Sequence, residues 1–199
     1  MHMKDVKEAW KYSNVFEKQL ELNIKELDNS YPPHWYDFIN LIKKFKPLSI
    51  LDVGCGCGAL HELCKRELPS LKYYGIDYSE NAIKIAKKTW SEDSFSVKDY
   101  LSLDYKYVSK FDLIHMGALL DVLPNGDEAL DYIMSLTPKS ILIGRMKLTD
   151  KESYHETYTA YDEITTYAFY HNETIFLELC GKYGYMIDKI NNNIYLNKI

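Results

Sequence analysis

No stretch of 18 consecutive apolar residues occurs in these 199 residues, so nothing in the sequence reads as a membrane span. Basic residues are also short: 24 Lys and Arg stand against 29 Asp and Glu, for a net charge of −5. That balance does not supply the basic face of a nucleic-acid binder, so no nucleic acid is expected among the partners. Cysteine is scarce, and Cys55, Cys57, Cys64 and Cys180 fit no paired C-x-x-C zinc spacing. They read as small residues of a tight turn and buried helix residues. His155, Glu156, Asp162, Glu163 and Asp121 follow no ligand spacing either, so no metal is assigned. The first residues, Met1 to Asp5, lack the apolar core of a signal peptide, and a cytoplasmic location is expected.

Glycine is sparse as well, with nine in the chain, yet Gly54, Gly56 and Gly58 fall within five residues. The run Leu48–Val53 before them has the length and composition of a buried parallel strand, and Ala59–Glu67 behind them reads as a helix. Such a turn brings backbone close to a ligand, while the helix aims its free N–H groups at the same spot. Gly54, Gly56 and Ala59 also satisfy the dinucleotide pattern G-x-G-x-x-G/A, which by itself leaves the cofactor open. Asp52 argues against a pyrophosphate, because a carboxylate there suits a ligand carrying a cationic amino group.

The remaining chain alternates strand and helix. Asp5–Leu27 carries apolar residues near helical spacing, Asn29–Pro33 is a turn, and His34–Phe45 is a second helix. Leu71–Asp77 reads as strand two, and Ser79 caps the helix through Ala82, Ile83 and Ala86. Asp77, about twenty residues past the turn, is where a carboxylate accepts from ribose hydroxyls. Strands three, four and five are Phe95–Val97, Phe111–Met116 and Ser140–Met146, with a helix over Asp127–Leu136. That alternation predicts an α/β fold, a mostly parallel sheet with helices on both faces. Lys147–Tyr170 shows no clear period and is rich in tyrosine. Asn172–Tyr183 is a helix, and Tyr185–Ile190 with Ile194–Leu196 reads as a closing antiparallel hairpin.

With Asp52 ahead of Gly54, Gly56 and Gly58, the sequence resembles the class I S-adenosylmethionine-dependent methyltransferases, whose first motif is an acidic residue followed by G-x-G-x-G. The F-D-L-I form of strand four and the closing hairpin agree with it. The resemblance implies a Rossmann-like, seven-stranded sheet over residues 1–199 as one domain. Residues 1–46 would form a helical cover and 147–170 a substrate-recognition segment. It implies S-adenosylmethionine as cofactor, its amino acid end held by Asp52 and the backbone of Gly54, Cys55, Gly56 and Gly58, its ribose by Asp77 beside Tyr78. Asp99 would accept from the adenine amino group and Tyr100 flank the ring. His115, Met116 and Gly117 would lie nearest the sulfonium.

Methyl transfer to an alcohol needs positioning and a base. The candidates are His115, Asp121 and His155. A hydrogen-bonded core histidine is the plain alternative for His115. More loosely, Arg145–Asp150 and the later aromatic segment resemble small methyltransferase-like proteins encoded with bacterial surface-polysaccharide genes. That likeness implies an O-methyltransferase for a small-molecule or sugar acceptor. Tyr154, Tyr158, Tyr161 and Tyr167 then supply substrate contacts, since aromatic faces suit sugar rings. Arg145 is expected to bind an acidic group of the acceptor or else to pair with a carboxylate such as Asp121. An NAD-linked oxidoreductase and a non-catalytic partner subunit that binds S-adenosylmethionine are the alternatives, and homo-oligomerisation is left open.

Overall fold

The computed structural model describes residues 10–11 and 14–199 and, at Ile190, the backbone. The part of the first expected helix at Asp5–Ala9, Tyr12 and Ser13 lies outside the described residues. From there the chain runs α1 Val15–Asp28, α2 Pro33–Phe45, β1 Ser49–Val53, α3 Ala59–Glu67, β2 Lys72–Asp77, α4 Glu80–Thr89 and β3 Phe95–Val97. Short helical turns at Tyr100–Ser102 and Tyr105–Val108 lead to β4 Leu113–Met116, α5 Gly126–Ser135 and β5 Ser140–Ile143. Then follow β6 Leu148–Thr149, β7 Tyr154–Ala160, β8 Ile164–Asn172, α6 Glu173–Tyr183, β9 Tyr185–Ile190 and β10 Asn193–Lys198. No helix among the described residues is long and apolar enough to cross a membrane.

Seven strands form one sheet in the order β3-β2-β1-β4-β5-β10-β9. The five leading strands are parallel, and β9 and β10 close it as an antiparallel hairpin. Alternation along the central strands sends residues to two separate cores. Ile50, Leu113, Leu142 and Tyr195 pack with Leu41, Leu63 and Ile83 of α2, α3 and α4. Leu51, Ile114, Ile141 and Leu196 pack with Ile133 of α5 and Phe176 of α6. Strands with two apolar faces need such a double cover. The strand order reverses between β1 and β4, so a crevice opens beyond their carboxyl ends.

Strand five stops at Ile143, and Arg145 sits in the left-handed region at φ 61°. The segment Lys147–Tyr170 is not irregular: β7 and β8 form an antiparallel hairpin, with β6 beside β8. Tyr161 and Asp162 turn it with φ of 55° at each, closed by the Glu163 N–H on the Ala160 carbonyl at 3.0 Å. Left-handed residues at both central positions match the twist of paired strands, a place usually given to Asn-Gly.

The hairpin hands over to α6 through Asn172. Its Oδ1 accepts from the Ile175 N–H at 2.9 Å, and its amide donates to the Lys151 carbonyl at 2.7 Å. Asn172→Ala should cost about 0.5–2 kcal/mol and lower the melting temperature by several degrees, which scanning calorimetry reads directly.

Candidate active site

Two cavities open at the switch point, of about 320 and 140 Å³. They meet at Gln19, Gly54, Ala118, Arg145 and Tyr161, which line both. The larger is walled by Asp77 and Tyr78 after β2, by Asp99 and Tyr100 after β3, and by the loop from Leu119 to Asn125. Trp10 and Phe16 close it from the α1 side and Tyr158 from the hairpin. The smaller cavity is lined by His34, Trp35 and Phe38 of α2, with Asp52, Cys55, His115, Gly117 and Asn193.

The three glycines of the turn share positive φ but not a task. A Cβ on Gly54 would lie 3.2 Å from Leu119 Cδ1, at the floor of the larger cavity. A Cβ on Gly58 would meet the Phe95 ring at 2.6 Å, so that glycine serves packing of helix on sheet and lines neither cavity. Asp77 braces the turn: Oδ2 accepts from the Gly56 N–H at 3.0 Å and Oδ1 from the Ser79 N–H at 2.9 Å. Burial pushes its carboxyl up to about 6, against the pull of those two N–H donors. Asp99 caps the turn after β3, accepting from the Leu101 N–H at 3.1 Å.

Beneath the junction lies a buried polar chain set by strand register. Asp52 of β1 pairs with His115 of β4, so both side chains leave the same face. His115 Nδ1 is 2.7 Å from Asp52 Oδ1, and the Tyr73 hydroxyl donates to Asp52 Oδ2 at 2.5 Å. Burial raises the Tyr73 hydroxyl well above its ordinary range, which keeps it a donor. With Nδ1 donating to the carboxylate, a neutral imidazole leaves Nε2 bare. Gly117 makes room for that ring, since a Cβ there would lie 2.6 Å from His115 Cε1. His34 lies across the cavity, its imidazole lowered to about 4 by burial and then by the charge of Arg145, and so neutral at pH 7. Asp52 is thus tied to His115 and Tyr73 and lines the smaller cavity but not the larger. Met116 differs from expectation, pointing to the opposite face, fully buried in the core against α5 and α6.

Arg145 is not a buried charge leaving a strand; its side chain is 47 % exposed. Its backbone N–H donates to Asn193 Oδ1 at 3.3 Å, and its guanidinium lies 3.6 Å from Asp121 Oδ2 and close to the Tyr158 hydroxyl. The carboxylate partner considered from the sequence is therefore present, with part of the guanidinium facing the cavities. Asp121 stands behind it, lining neither cavity, and its Oδ1 is buried without a partner among the described residues. Burial raises its carboxyl and Arg145 draws it back.

Of the four tyrosines expected at the acceptor, Tyr158 and Tyr161 reach the cavities. Tyr154 stacks on Tyr170 at 4.6 Å, and Tyr167 is buried with the His155 ring edge-on at 4.5 Å. Strand alternation explains the split for His155 and Tyr167, which leave the hairpin on the face away from Tyr158. Gln19, His34, Tyr73 and Asn193 were not foreseen. Among the described residues no group of three or more His, Cys, Asp or Glu side chains is arranged to hold a metal.

A family profile described as a methyltransferase domain matches residues 44–175. The release factor glutamine methyltransferase of Aliivibrio fischeri is 26% identical over 42% of this chain and 28% of its own. The chain spans less than a third of the length of the curated relatives it matches. Among solved structures, a sugar N-methyltransferase from Streptoalloteichus superposes with a TM-score of 0.61 at 11% identity, over 90% of this chain and 92% of that one. The magnesium protoporphyrin IX methyltransferase of Synechocystis, solved with S-adenosylhomocysteine, gives 0.57 at 16% identity, over 83% and 81%. At such identities the likeness speaks to the fold.

Proposed function

The chain belongs to the methyltransferase-domain family, and from that premise we propose that it transfers a methyl group to an oxygen of a small or sugar acceptor, with His115 as the base. Its cofactor is S-adenosylmethionine. Membership of that family sets aside the oxidoreductase alternative.

The residues present fit this cofactor. The larger cavity is lined by Asp77, which would meet a ribose, by Asp99 and Tyr100, which would meet an adenine, and by a glycine at 54 whose missing side chain leaves the floor open. When bound, S-adenosylmethionine supplies a methyl group on a positively charged sulfur, activated for in-line displacement. Asp77 and Asp99 would hold the adenosyl half, and Gly54 and Ala118, which line both cavities, would lie beside the sulfur end.

The observation that carries the reading is the Asp52–His115 pair, whose imidazole lines the smaller cavity. Nε2 takes the proton of the acceptor hydroxyl as the oxygen attacks. Asp52 fixes the tautomer and offsets the charge that the ring acquires, and Tyr73 keeps Asp52 in place. A base so oriented contributes about 10²–10⁴-fold. Trp35 and Phe38 offer apolar walls to a sugar ring, while His34, Asn193 and Arg145 offer polar contacts.

A second reading rests on Ala59 and Leu60, the first turn of α3, which also line the smaller cavity. A helix N-terminus suits a carboxylate, so the methionyl tail would lie there and the Asp52–His115 pair would hold its ammonium group.

The test is product formation from methyl-labelled S-adenosylmethionine with monosaccharides, amino sugars, uronic acids, sugar phosphates and small phenols, read by mass spectrometry. A methyl ether is expected. Cofactor binding without product across the panel would favour a non-catalytic binding subunit, and an N-methyl product from amino sugars alone would overturn the oxygen assignment. Arg145→Lys keeps the charge and loses the two-pronged hydrogen bond. It should lower kcat/KM for a uronic acid or sugar phosphate roughly 10- to 150-fold, while cofactor affinity and melting temperature hold.

A further inference from the structure

We infer that Gln19 is a positioning residue that couples the cofactor-binding turn to the hairpin roofing the site. Gln19 belongs to α1, remote in sequence from both, and it lines both cavities. Its Oε1 accepts from the Cys57 N–H at 3.1 Å, in the middle of the glycine turn. Its Nε2 donates to the Tyr161 hydroxyl at 3.3 Å, at the hairpin tip.

The space for that side chain is built into the turn. A Cβ on residue 56 would lie 2.5 Å from Gln19 Oε1, closer than such atoms come, so the glycine at 56 admits this amide. Neighbouring contacts hold α1 and the hairpin tip in register. Lys18 Nζ is 2.8 Å from Glu163 Oε1 and donates to the Tyr161 carbonyl at 3.3 Å. These salt-screened surface bonds fasten the tip to α1, whereas Gln19 alone of this group also touches the turn.

One planar amide with an end on each element transmits displacement. Its carbonyl and NH₂ are rigidly opposed, so a shift of the turn on cofactor binding must move the Tyr161 bond or break it. By linkage the effect is reciprocal: what the cofactor does to the roof, an acceptor under the roof does to cofactor affinity. For one neutral hydrogen bond the factor is roughly two- to tenfold. The inference concerns the cofactor end of the site and stands whichever acceptor is used.

Hydrogen–deuterium exchange of the full chain, with and without S-adenosylhomocysteine, tests it. In the wild type the ligand should slow exchange across residues 154–166 by roughly two- to tenfold. Gln19→Ala should abolish that ligand-dependent protection while S-adenosylhomocysteine still binds by calorimetry. Tyr161→Phe, which removes one oxygen from a hairpin tip, should do the same and covers the case in which Gln19→Ala fails to fold. The double variant should lose no more than either single one, as expected for two ends of one link. Unchanged hairpin exchange in the ligand-bound wild type, persisting protection in either variant, or losses that add would each overturn the coupling.

Discussion

Replacing His115 with asparagine should lower turnover about 10²–10⁴-fold and leave S-adenosylmethionine affinity within a few-fold of wild type. Asparagine is chosen because its amide N–H₂ stands where Nδ1 does and still donates to Asp52, whose buried carboxylate would otherwise lose a partner. Only the function of Nε2 is removed. Stopped assays with the best acceptor of the panel and calorimetric titration of the cofactor separate the outcomes. Lost turnover with retained affinity identifies the base. Affinity that collapses with turnover would move the methionyl tail into the smaller cavity and end the assignment of His115 as base.

Asp77 gives the second large effect, and it comes with a pH signature. Ribose hydroxyls donate, so the ionised carboxylate is the binding form. Burial pushes the carboxyl up to about 6 in the free protein. Affinity should therefore be flat above about pH 7 and fall as pH drops through about 6, by up to roughly tenfold per unit. Asp77→Asn should weaken binding roughly 10- to 150-fold at pH 7.5 and remove the slope between pH 5 and 7. Titration of S-adenosylhomocysteine at several pH values reads both. A full slope in the variant would show that another group sets the pH dependence.

The scaffold was legible in the sequence because it depends on local pattern. The helix Ala59–Glu67 and the strand Phe95–Val97 have the bounds that apolar runs and the glycine turn predict. The acceptor side was less legible, because it depends on pairing between distant segments. Tyr154, Glu156, Tyr158 and Ala160 do alternate, but the turn at Tyr161–Asp162 carries no glycine, asparagine or proline to announce a hairpin. His115 was recognisable as a strand-end histidine, but its link to Asp52 follows from parallel register across 63 residues. His34 gives no signal of its own at the start of α2; it enters the site only because that helix packs over β1 and β4. Glycine spacing located the turn, yet Gly58 answers to Phe95, a residue met 37 positions later.

The antiparallel finish of the sheet has a consequence for biosynthesis. β10 lies between β5 and β9, with Ile194, Tyr195 and Leu196 in the two cores. It is translated after the other six strands of this sheet, so β5 can gain its second neighbour only when Asn193–Lys198 has left the ribosome. Until then two strand edges stand open, and the nascent chain carries templates on which other copies can pair. The Asn193 side chain that braces Arg145 arrives in that same strand. A chain cut short of that strand would carry the sequence of the glycine turn but leave the acceptor side unfinished.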